Sequence, residues 1–104
     1  MRIQYYKWSE IKEAVDLSIT YRLYVSGWMA RRLFRDFKDG YGDATPFNMA
    51  LAFEGDKPIA WVIRFHGPSG VEGTSRTWRF TRVAHRGKGI STMLRVTCDA
   101  MERH

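Results

Sequence analysis

Cysteine is nearly absent: Cys98 is the single one in 104 residues. A lone thiol excludes an intrachain disulfide and any thiolate cage for zinc. No apolar run approaches the ~18–20 residues that a membrane-spanning helix requires. Glu10, Glu13 and Asp16 fall where the apolar segment of a signal peptide would have to sit. Acid is scarce as well, with 11 Asp and Glu against 17 Lys and Arg and a formal charge of +6. These absences lead to the expectation of a soluble, cytoplasmic protein with no membrane partner. What is present is ordinary globular material: 44% apolar and 27% charged residues, with four Trp and six Phe to give a core bulk. At this length one domain, residues 1–104, is expected.

The apolar period changes along the chain. Ile3 to Lys7 is a short β-prone stretch, and Ser9 is a candidate helix N-cap with Glu10 in the first turn. Ile11, Val15, Ile19 and Leu23 recur every four residues, widened by Ala14 and Leu17, which predicts an amphipathic helix as far as a break near Gly27. A second helix is expected from Trp28 to Lys38, with Met29, Leu33 and Phe37 on one face and Gly40 as its stop. Met49, Leu51 and Phe53 then alternate with Asn48, Ala50 and Ala52. A turn from Glu54 to Pro58 leads into a second strand, Ile59 to Phe65, with Trp61, Ile63 and Phe65 on one side. His66 to Ser75 reads as loop, and Thr77 to Val83 as a third strand of this sheet. From Gly89 onward Ile90, Met93, Leu94, Thr97 and Met101 mark a final helix.

The junction between the last strand and that helix carries the chemistry. Its sequence is Thr81-Arg82-Val83-Ala84-His85-Arg86-Gly87-Lys88-Gly89-Ile90-Ser91. A chain entering a helix leaves unpaired N–H groups at the positive end of the helix dipole, which suits phosphate. Glycines let the backbone approach such an anion closely. From Thr74 to Cys98 there are Arg76, Arg79, Arg82, Arg86, Lys88 and Arg95, and no acidic residue. A polyanionic ligand fits that field. The plain alternative is a tight turn with a solvated lysine. Neither the P-loop spacing nor the three-glycine dinucleotide pattern is present.

Arg86-Gly87-Lys88-Gly89-Ile90-Ser91 resembles the pyrophosphate-binding motif of the GNAT acyl-CoA-dependent N-acyltransferases, Gln/Arg-x-x-Gly-x-Gly/Ala. Thr81 and Val83 occupy the Val and Pro positions of the upstream part of that motif. The element order is similar too, a helical first third followed by a hairpin with an acidic-Gly-basic type of turn. This resemblance implies an α/β (α+β) fold with a mixed, mostly antiparallel sheet and flanking helices. It implies acetyl-CoA as cosubstrate and transfer of an acetyl group to an amine. By the same carry-over, the amides from Gly87 through Ser91 would hold the coenzyme A pyrophosphate, with Arg86 and Lys88 supplying charge. The strand ending near Val83 would offer main-chain groups to the pantetheine arm. Ser91 replaces the usual final Gly or Ala, a small change that a helix N-terminus tolerates. The larger departure is that the chain reads as shortened after the helix that the motif opens, without the usual C-terminal strands and the tyrosine that often protonates the thiolate.

No catalytic set can be named. The strand Thr77 to Val83 lacks the carboxylate that often serves the family as base. Glu54 and Glu72 read as solvated surface, His66 as loop, Cys98 as core, and His85 as packed at the turn or facing solvent. His66, His85 and His104 have no metal-ligand spacing, so no metal is expected. Alternation sends Trp78, Phe80 and Arg82 to one face and Arg79, Thr81 and Val83 to the other. The aromatics are then core, which argues against nucleic-acid binding. Whether the chain is an enzyme stays open. The alternative is a non-catalytic GNAT-like module of the kind familiar in phage and mobile elements. Such a module would bind a protein partner or a second copy that completes the sheet at its open edge.

Overall fold

Alternating apolar residues on both sides of two long strands demand cover on both faces, and that requirement organises the chain. The computed structural model describes residues 1–24, 34, 46–65 and 77–102. Strand β1 is Arg2–Tyr6, helix α1 Ile11–Thr20, β2 Phe47–Glu54, β3 Lys57–Phe65, β4 Thr77–Thr81 and helix α2 Ile90–Glu102. The strands form one sheet in the order β1-β2-β3-β4, every pair antiparallel. This is an α+β fold with an open sheet. None of the described helices is long and apolar enough to cross a membrane.

The central hairpin is tighter than its sequence suggests. Glu54 pairs directly with Lys57, so Lys57 and Pro58 belong to β3 and the expected five-residue turn shrinks to Gly55 and Asp56. Gly55 makes this possible at φ +62°. Register slips between Ala52 and Phe53, because Ala52 faces Ala60 while Phe53 faces Pro58. Ile59 is therefore an extra residue in β3, and Pro58, which has no N–H to donate, sits beside the bulge where a ladder tolerates it.

Met49, Leu51, Phe53, Trp61 and Ile63 bury against Ile11, Ala14 and Val15 of α1. Ala50, Ala52, Ala60 and Val62 bury on the other face against Ile90, Leu94 and Cys98 of α2. Trp78 and Phe80 extend the α1 side: Trp78 lies 4.8 Å edge-on to Phe65, and Phe80 stacks on Trp61 at 6.0 Å. The predicted division into two faces is observed for Trp78 and Phe80 against Arg79, while Arg82 and Val83 lie beyond the end of β4.

Both ends of α1 differ from expectation. Trp8–Glu10 is a separate 3-10 turn, and the Lys7 amide donates to the Glu10 carboxylate at 3.2 Å, so Ser9 caps nothing. At the other end α1 stops at Thr20, well before Gly27. Arg22 adopts φ +55°, its amide bonds the Ile19 carbonyl, and the Leu23 amide bonds the Ser18 carbonyl at 2.7 Å. That pair of bonds is a Schellman motif, made here by an arginine instead of the usual glycine. It folds Leu23 into the core, and the Leu23 carbonyl accepts a 2.6 Å bond from the Trp61 indole. The second helix, its Gly40 stop and the loop from His66 to Ser75 lie outside the described residues. Phe34 alone is described there: it is helical, buried, and edge-on to Trp61 at 5.7 Å.

Helix α2 buries Ile90, Leu94 and Cys98, as a four-residue repeat requires, but Met93 and Met101 point outward. Its far end is pinned to the sheet by Arg64, which donates to both Asp99 and Glu102.

Candidate anion-binding site

Strand β4 ends where its partner stops offering a regular ladder. The Arg82 amide makes the last rung, to the Ile59 carbonyl at 3.0 Å, and beyond it stand the bulge and Pro58. The strand therefore closes at Thr81 instead of Val83. Val83–His85 turns as a 3-10 segment held by the His85 amide on the Arg82 carbonyl at 2.8 Å. Val83 is carried into solvent.

Gly87 and Gly89 follow at φ +83° and +73°. A Cβ at either position would meet nothing within 4 Å, so backbone conformation, not crowding, is what calls for glycine. The first α2 hydrogen bond runs from the Met93 amide to the Gly89 carbonyl at 3.1 Å. The amides of Ile90, Ser91 and Thr92 thus stand at the open, positive end of the helix. Ile90 buries its side chain beneath the helix and fixes that end to the sheet.

A cleft of about 300 Å³ lies against this turn. Of the residues expected from sequence, Thr81, Arg86, Gly87, Gly89, Ile90 and Ser91 line it, while Val83 and Lys88 lie outside its lining. Arg79, Phe80 and His85 complete the wall. Arg86 donates from Nε to the Thr81 carbonyl at 3.0 Å, which holds its guanidinium over the end of β4. Arg82 leaves in the other direction and donates to the Tyr21 carbonyl at 2.6 Å, at the C-terminal end of α1 where a cation is favoured. A wider groove of about 570 Å³ runs along α1, but Glu10, Glu13 and Asp16 line it with Lys12, and it repels an anion.

Sequence reasoning missed one arrangement. Glu54, at the end of β2, accepts a 2.9 Å contact from His85 Nε2. The imidazole is mostly buried, the carboxylate is 70% exposed, and His85 Nδ1 is buried without a partner among the described residues. The available signal was topological: β3 pairs with both β2 and β4, so the hairpin turn and the end of β4 meet at one end of the sheet.

The remaining candidates resolve simply. Cys98 is buried, and burial first, then the nearby Glu102 charge, push its thiol up to about 11, so it is protonated at neutral pH and no nucleophile. Tyr5 donates to Glu102 at 3.5 Å and is likewise pushed up to about 12, chiefly by burial and then by that carboxylate. Burial opposes the charge of Arg64, yet its bonds to Asp99 and Glu102 outweigh burial and raise its pKa. Glu72 and His66 lie outside the described residues. Among the described residues no three His, Cys, Asp or Glu side chains are grouped to hold a metal. The rings of Trp78 and Phe80 are partly buried and pack against the core on the α1 side of the sheet. No family model, curated protein or solved structure matches the chain.

Proposed function

We propose that the turn from Arg86 to Ser91 binds the pyrophosphate of acetyl-CoA, and that the chain is a GNAT-like N-acetyltransferase domain acting on an amine. The observation that carries this reading is the pair of glycines at φ +83° and +73° between a strand and a helix, beside a cleft lined by Arg79, Arg86, Ile90 and Ser91. Backbone donors, a helix dipole and two guanidinium groups together suit a pyrophosphate. The edge of β4 would take the pantetheine arm along its main chain. In the transfer itself, the amine attacks the thioester carbonyl, and the departing thiolate needs the proton the amine gives up. Among the described residues the cleft wall contains no carboxylate for that proton.

Calorimetry with acetyl-CoA tests the reading, comparing the native chain with Gly89→Glu. Micromolar binding by the native chain, lost in the variant, is expected. A folded native chain that does not bind overturns it. One observation favours a second reading: β4 pairs only with β3 among the described strands. A sheet edge of that kind can accept a strand from a partner protein or a second copy. On that reading coenzyme A is irrelevant, and Gly89→Glu changes neither partner capture nor oligomeric state.

A further inference from the structure

The junction from Thr74 to Cys98 contains no acidic residue, yet the fold brings a carboxylate to it from elsewhere. Glu54 reaches His85, and His85 lines the same cleft as Arg79, Arg86 and the two glycines. A carboxylate beside a polyanion site weakens binding unless something cancels it. The imidazole between them is the group that can. We infer that His85 is a further ligand-positioning residue of this site, braced by Glu54, and that an anion binds at the turn with uptake of a proton on His85. The inference rests on the proposed reading of the turn as a pyrophosphate site.

The proton balance is direct. In the neutral ring Nε2–H donates to Glu54, and Nδ1 carries the lone pair. The added proton goes to Nδ1, which is buried without a hydrogen-bond partner among the described residues, so the cost of charging it there is offset by an anion in the cleft. The imidazolium then neutralises Glu54 and adds its attraction to that of Arg79 and Arg86. The charged groups facing His85 are Glu54 from the end of β2, Arg79 from β4 and Arg86 from the turn, since Arg82 is turned away toward Tyr21. Lys88 is exposed on the turn, and Asp56 and Lys57 are exposed beside Glu54 in the hairpin. By linkage, protonation tightens the anion and the anion favours protonation.

Dephospho-coenzyme A is the suitable probe, because its pyrophosphate diester does not titrate near neutrality and any pH dependence belongs to the protein. Its affinity for the native chain is expected to be about three- to tenfold tighter near pH 6 than near pH 8, the size of one added charge acting from a mostly buried side chain. His85→Gln, shown to be folded by circular dichroism, is expected to lose that ratio. Glu54→Gln keeps an acceptor for Nε2–H but drops the charge, so it is expected to bind more tightly than native near pH 8 and to show a smaller ratio. A merely structural role for the pair would weaken both variants equally at each pH, and that result overturns the inference. So does an unchanged ratio in His85→Gln, or a flat profile in a native chain that still binds and still loses binding with Gly89→Glu; in either case the pyrophosphate reading survives. No binding by the native chain overturns both.

Discussion

On the α1 side of the sheet the central strands present Met49, Leu51, Phe53, Trp61 and Ile63. On the α2 side the same strands present Ala50, Ala52, Ala60 and Val62. The first face is bulky, and aromatic edges join it to β4 and to Phe34. The second is smooth and lets α2 lie close, with Leu94 and Cys98 filling the shallow space. Bulk on one face supplies most of the apolar burial that holds the domain together. Small residues on the other set where the N-terminal end of α2 falls, and with it the glycine turn. Stability and placement of the site are thus assigned to opposite faces of one sheet.

Substitutions on each face should separate those roles. Trp61→Ala has the largest expected effect, a loss of about 3–5 kcal/mol in urea unfolding, since it opens a cavity and also leaves the Leu23 carbonyl without its donor. A loss below about 2 kcal/mol would mean that the aromatic face repacks freely. Ala60→Leu is expected to cost less stability, about 1–3 kcal/mol by overpacking. Its effect on coenzyme A binding should be the greater one, because it lifts α2 beside Thr81. Retained affinity in that variant would show that the alanines do not set the position of the turn. The smallest effect concerns the alkaline limb on the α2 side. Tyr5 and Cys98 both lose protons less readily in the folded chain, at about 12 and about 11. Groups raised in this way contribute stability that is whole below their ordinary values and drains away as pH climbs through the folded ones. Stability should therefore fall between about pH 9 and 12. Tyr5→Phe should soften the upper part of that fall, and an identical alkaline profile would contradict the assignment.

Much of this was legible because it depends on period. Alternation through Met49–Phe53, Trp61–Phe65 and Trp78–Phe80 places each side chain on its observed face. The glycine turn was legible because Gly87 and Gly89 are local requirements of backbone geometry. What escaped depends on meetings between distant segments or on rare conformations. Arg22 ends α1 in a left-handed conformation that glycine usually takes, so the apolar stripe ran on past the true end. The buried face of α2 is the narrow line Ile90, Leu94 and Cys98, so Met93 and Met101, which a broader helical stripe would include, are exposed. Glu54 and His85 are separated by 31 positions and meet only because the β2–β3 turn and the end of β4 lie at the same rim of the sheet.

The extra residue at Ile59 has a consequence for how the chain tolerates change in length. Ile59 and Ala60, neighbours in sequence, both contribute to the α2 face, so the side-to-side count of β3 is reset between them. The bulge acts as a phase joint. On one side lies the core segment from Ala60 to Phe65, whose parity is fixed by two neighbouring strands; on the other lies the rim, where the Ile59 carbonyl receives the Arg82 amide. Insertions or deletions at the hairpin tip can be absorbed at that joint without turning Trp61 and Ile63 inside out. The interior thus keeps its frame independently of the rim, which is itself tied to the glycine turn through Glu54 and His85.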